Sequence, residues 1–77
     1  KLKFTYKEQK EWETIEEDIT RLEEETASLE QQMEEAASDY GKLNELMVKK
    51  QEKEQLLEEK MERWMYLNDL AEQIKNQ

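Results

Sequence analysis

Six cations carry the chemistry this chain can offer: Lys1, Lys3, Lys7 and Lys10 at its start, and Lys60 and Arg63 further along. Ammonium and guanidinium groups gathered at one place grip the phosphates of nucleic acid, and the counterions they displace supply much of the free energy. The competing reading pairs them inside the molecule, Lys7 with Glu72 and Lys10 with Asp69. Trp12 and Trp64 have faces on which a base can stack. Both fall on an apolar stripe, which assigns them to core packing instead.

Other chemistries are excluded by composition. The chain has no histidine and no cysteine, so zinc sites, thiolate nucleophiles and disulfides are ruled out. The neighbours Glu23, Glu24 and Glu25 point in different directions around a helix and cannot converge on one ion. Paired carboxylates such as Glu58 and Glu59 lack a cleft to desolvate them and tune their pKa. No catalytic, cofactor-binding or metal-ligating residue is expected, and no enzyme activity.

Charge is unevenly spread over the 77 residues, which carry 12 cations and 21 acids for a formal net charge of −9. Residues 1–10 hold four lysines against one glutamate, and residues 11–37 hold eleven acids against Arg21 alone. Most of the molecule therefore repels nucleic acid, and any phosphate contact is confined to the lysine-bearing end. Apolar runs are far too short to span a bilayer or form the core of a signal peptide. A cytoplasmic location is the expectation.

Two heptad seams must position these groups. Trp12, Ile15, Ile19, Leu22, Thr26, Leu29, Met33 and Ala36 recur at spacings of three and four, one apolar stripe along a helix. Leu43, Leu46, Met47, Leu56, Leu57, Met61, Trp64, Leu67, Leu70, Ala71 and Ile74 form a second, broader stripe. The polar run Lys49-Lys50-Gln51-Glu52-Lys53-Glu54-Gln55 interrupts it. Between the two lies Ala36-Ala37-Ser38-Asp39-Tyr40-Gly41, which holds the only glycine. Thr5 with Glu8 makes a capping box that starts the first helix, and Ser38 and Asp39 are N-caps for the second.

The first seam also continues in phase through Tyr40, Leu43, Met47, Lys50, Glu54, Leu57, Met61, Trp64, Asn68 and Ala71. One long helix in a parallel homodimer is thus a competitor. Charge placement favours folding back. A parallel dimer sets Asp18 against Glu23 and Glu25 against Glu30, whereas the hairpin faces Glu16 with Arg63, Asp18 with Lys60, Glu25 with Lys53 and Glu30 with Lys49. Exposed pairs of this kind contribute only about 0.2–1 kcal/mol each, enough in sum to select a topology. The same register sets Ile15 beside Trp64, Ile19 beside Lys60 and Met61, Leu22 beside Leu57, and Trp12 near Leu67. Thr26 and Leu29 against Lys50 and Lys53 make the weakest layer, with lysine stems lying over Leu29.

The expected architecture is all-α: a two-helix antiparallel coiled-coil hairpin, one domain and a monomer. Residues 1–5 form a lead-in, helix 1 runs over about 6–37, the turn over about 38–40 and helix 2 over about 41–76. Leu2 and Phe4 of the lead-in, with Tyr6 just after it, are expected to fold onto the open end.

Three patches outside the heptads carry a family resemblance. Phe4-Thr5-Tyr6-Lys7-Glu8-Gln9-Lys10-Glu11 resembles the start of the C-terminal coiled-coil domain of Uup-type ABC-F ATPases, with threonine where serine is commoner. Ser38-Asp39-Tyr40 is similar to the turn before that domain's second helix. Met61-Glu62-Arg63-Trp64-Met65-Tyr66-Leu67 is similar to a segment near its end. The resemblance implies a cytoplasmic parent with two ATP-binding cassettes, no membrane domain, and this hairpin as an accessory domain that contacts DNA, ribosomal RNA or the ribosome. ATP and magnesium would belong to the cassettes, since this chain has no glycine-rich phosphate loop. The alternative is a structural coiled-coil spacer or dimerisation element.

Overall fold

Two helices account for nearly the whole chain in the computed structural model, which describes all of residues 1–77. Helix α1 spans Tyr6–Glu35 and helix α2 spans Tyr40–Lys75, packed antiparallel into a rod of 58 × 16 × 14 Å. The all-α hairpin expected from the seams is the observed fold.

Local chemistry fixes where each helix begins. Thr5 caps α1: its Oγ1 accepts from the Glu8 N–H at 3.1 Å, while Glu8 Oε1 accepts from the Thr5 N–H at 2.9 Å. Two amides that the helix leaves without partners are thereby satisfied. Asp39, not Ser38, caps α2, its Oδ1 accepting from the Lys42 N–H at 3.1 Å. At the far end Lys75 lies in the last turn of α2, where a cation complements the helix dipole.

The turn between the helices needs no glycine. The Asp39 N–H donates to the Ala36 carbonyl at 2.9 Å, and no residue has positive φ. Gly41 instead lies inside the first turn of α2, where an added Cβ would meet only Asp39 Oδ1 at 3.7 Å. Helix α1 ends at Glu35, so Ala36 and Ala37 belong to the turn. Ala36 is buried there, its small side chain letting the chain reverse tightly.

The seam of α2 corrects the one read from apolar residues. Its buried and half-buried face runs Leu43, Leu46, Lys50, Lys53, Leu57, Lys60, Trp64, Leu67, Ala71 and Ile74, an unbroken alternation of threes and fours. Three lysines thus sit where the sequence shows an interruption or a flank. Met47, Leu56 and Met61, assigned to the stripe by their apolarity, are more than two-fifths exposed on its two sides. The cross-hairpin contacts along the middle of the rod, Asp18 with Lys60, Glu25 with Lys53, Glu30 with Lys50 and Glu16 with Trp64, have residue totals of 78 to 80, a register centred on 79 that sets Ile15 level with Trp64 and Leu22 with Leu57.

The seam lysines run their stems along the interface and deliver their charges to acids on the edge of α1. Lys60 Nζ is 3.2 Å from Asp18 Oδ2, Lys53 Nζ 2.6 Å from Glu25 Oε2 and Lys50 Nζ 3.4 Å from Glu30 Oε1. The Asp18 and Glu25 pairs are those expected. Glu30 takes Lys50 rather than Lys49, because Lys50 lies in the seam and Lys49 outside it. The Thr26 hydroxyl, in the weakest layer, donates to the Leu22 carbonyl at 2.8 Å.

Tight packing is concentrated at the open end, where Ile15 is 1% exposed and Leu67 is fully buried. The Phe4 and Trp12 rings pack against each other at the same end. Truncating Leu67 to alanine should therefore cost on the order of 3 kcal/mol by leaving an unfilled layer. Leu56→Ala, on the exposed side of α2, should change stability by less than about 0.5 kcal/mol. Urea unfolding followed by circular dichroism would read both. Equal losses would refute the seam.

Candidate nucleic-acid interface

The lead-in is tied across the open end of the rod. The Leu2 N–H donates to Gln77 Oε1 at 2.8 Å, and Gln77 Nε2 donates to the Leu2 carbonyl at 2.6 Å. Phe4 packs against Trp12, ring centroids 5.9 Å apart and inclined by 32°. Of the three residues expected to fold inward, Phe4 does so, Leu2 is about half exposed, and Tyr6 is 80% exposed. Tyr6 is the first residue of α1 and points outward, with Lys10 Nζ 5.5 Å from its ring centre.

Lys1 and Lys3 belong to this tied lead-in, and Lys7 to the first turn of α1 that follows it. All three are exposed and form no ion pair. Lys10 lies 4.0 Å from Glu13 on the same helix rather than reaching Asp69, and Lys7 is not paired with Glu72. Both expected cross-hairpin pairs are absent. Lysine and acid there stand on outward faces of their helices, so neither can cross the seam.

Lys60 and Arg63 are differently placed. Lys60 is held by Asp18, roughly 10 Å further along α1 than Arg63's partner at 1.5 Å per residue. Arg63 forms a two-pronged bond to Glu11, Nε to Oε2 at 2.9 Å and Nη2 to Oε1 at 2.8 Å. Glu11 takes the place expected of Glu16. Glu11 and Arg63 lie on the same flank of the hairpin, whereas Glu16 lies on the other, where its Oε1 accepts from Trp64 Nε1 at 3.4 Å.

A small polar network follows from the Arg63 contact. The guanidinium stacks 4.8 Å from the Tyr66 ring centre. The Tyr66 hydroxyl donates to Glu8 Oε2 at 2.7 Å, so the carboxylate that completes the α1 cap is anchored to α2 as well. Its signal in the sequence is the heptad flank that Glu11 and Arg63 share.

These bonds move the titrations of their members. The Thr5 backbone N–H, followed by the Tyr66 hydroxyl, holds the Glu8 carboxyl below the ordinary carboxylate range. The Arg63 fork does the same for Glu11 against an opposing desolvation, and Glu11 in turn raises Arg63. Donation to Glu8 raises the Tyr66 phenol, since losing the proton would set two anions together. Depressed carboxyls add stability at neutral pH that fades as pH falls through their folded values. A raised phenol adds stability that fades as pH climbs through its own.

A ring-resolved NMR titration should therefore place Tyr66 ionisation above its ordinary value of 10.0. Glu8→Gln removes the accepting charge and should bring the phenol back down. The same titration curve in both proteins would contradict the contact.

No helix is long and apolar enough to cross a membrane, and no group of acids is arranged to hold a metal ion. The chain is 39% identical over 74 residues to an uncharacterized ABC transporter ATP-binding protein, YfmR, of Bacillus subtilis (strain 168). That match covers 96% of the chain but 12% of the relative's length. No solved structure matches. A family profile described as the ABC transporter C-terminal domain matches residues 3–69, from the lysine-bearing lead-in through the Arg63–Tyr66 network. The chain belongs to the ABC transporter C-terminal domain family.

Proposed function

We propose that this chain is the accessory C-terminal hairpin of a cytoplasmic ABC-F type ATPase, and that it touches the sugar–phosphate backbone of DNA or ribosomal RNA through its open end. Family membership supports the first part. The observation that carries the second is the set of unpaired cations Lys1, Lys3 and Lys7, with Lys10 beside them, projecting from the tip of an otherwise acidic rod. Lys60 and Arg63 add to that potential but are already engaged by Asp18 and Glu11. They contact phosphate only by exchanging those partners. ATP and magnesium are the business of the parent's cassettes, and the hairpin itself turns over nothing.

An acidic rod approaches a phosphate backbone by presenting its one basic tip, so few phosphates are neutralised. With two to four contacts, log affinity should fall with log salt at a slope of roughly −2 to −3.5, and binding should fade near physiological ionic strength. Fluorescence anisotropy with labelled duplex DNA and ribosomal RNA hairpins at several salt concentrations measures this. Reversing Lys3, Lys7 and Lys10 to glutamate should abolish binding. Tight binding that survives those reversals, or depends on base sequence, would overturn the phosphate-tip reading.

A further inference from the structure

The two flanks of the seam differ in a way that the fold does not require. On one flank α1 presents Glu11, Asp18 and Glu25, and α2 answers with Arg63, Lys60 and Lys53. That flank is neutralised from within. On the other, α1 presents Glu16, Glu23 and Glu30, while α2 offers Met47, Glu54, Met61 and Asn68 at the corresponding heptad positions. Only Glu30 finds a cation there, Lys50.

All four methionines of the chain line this second flank. Met33 and Met47 edge a small hollow near the turn. Ile19, Met61, Trp64 and Met65 floor an open groove of about 470 Å³ nearer the other end, with Glu16 and Thr20 at its rim. Met61 is 48% and Met65 64% exposed, although both could have been polar without disturbing the core. Met47 and Met61 are two heptads apart, roughly 21 Å along the helix axis. Glu23 and Glu54, neither of them in an ion pair, lie along the stretch between the grooves.

We propose that this methionine-lined, acid-rimmed flank is a docking site for a cationic amphipathic helix of another protein. Flexible, polarisable methionines accept varied apolar side chains, and an amphipathic helix lays its apolar face into such a groove. The uncompensated acids select lysine and arginine on the rim of the incoming helix. Charge decides against other occupants: a second copy of this chain, an anionic membrane and a nucleic acid would each bring negative charge to a negative flank. A helix of about 20 residues, roughly 30 Å long, spans both grooves. The site is separate from the lysine tip, so nucleic-acid binding and peptide docking stand or fall independently.

The test uses a synthetic leucine–lysine peptide of about 20 residues with helical amphipathicity, and a scrambled peptide of the same composition. The chain carries methyl-labelled methionine, with leucine methyls labelled in a second sample. Titration with the amphipathic peptide should shift the Met47, Met61 and Met65 methyl signals saturably and leave Leu56, on the opposite flank, unmoved. The scrambled peptide should bind at least about tenfold more weakly, as should the Glu23→Lys, Glu54→Lys double variant with the original peptide. Met61→Gln with Met65→Gln, both exposed, should keep the native circular dichroism spectrum and lose binding. Unmoved methionine methyls, equal binding of the scrambled peptide, or equal shifts at Leu56 would each overturn the proposal. So would methionine shifts that appear on concentrating the chain alone, which would make a second copy the occupant.

Discussion

Three lysines in the middle of a helix–helix seam set the terms for the whole molecule. Lys50, Lys53 and Lys60 occupy positions that a coiled coil ordinarily gives to leucine. Left without partners, three ammonium groups beside apolar layers would weaken the interface. The hairpin resolves this by placing Glu30, Glu25 and Asp18 on the edge of α1 at the heights the lysines reach. Each pair is partly exposed and contributes little alone. Their value lies in selection, because in parallel pairing every seam residue faces its own copy and Lys50 would meet Lys50. The antiparallel, intrachain arrangement is the one in which each seam cation meets an anion.

Much of this was legible in the residues. The capping box at Thr5 and Glu8, the α1 seam and the Asp18–Lys60 and Glu25–Lys53 pairs follow from spacing and charge, because short-range caps and heptads depend on neighbours in sequence. The α2 seam was misread for a physical reason. A search for apolar periodicity counts Met47, Leu56 and Met61 and rejects lysine, yet a lysine stem covers a seam as well as a leucine does while its head escapes to the edge. Gly41, expected at the start of the second helix, lies in its first turn, and the reversal before it is made with ordinary backbone angles. The Glu8–Tyr66 and Glu11–Arg63 bonds depend on which flank a residue occupies, information available only once the seam is known.

The resulting rod has three surfaces of different character. Its tip is basic and tied down by the Leu2–Gln77 and Phe4–Trp12 contacts. One flank is internally neutralised. The other combines exposed methionine with acids that lack cations. The apolar core is thin, with five residues buried out of 77, and most side chains face outward on one of these surfaces.

The central claim is that the chain folds back on itself with residue totals near 79. Because the sequence has no cysteine, spin labels on Glu17→Cys and Glu62→Cys report a single pair of sites. Pulsed dipolar spectroscopy on labelled chain diluted with unlabelled chain then reads the distance within one molecule. The hairpin places these two outward positions level with one another, roughly 20–30 Å apart across two packed helices. A distance of about 68 Å, the length of 45 residues of continuous helix, would contradict the fold and every surface derived from it.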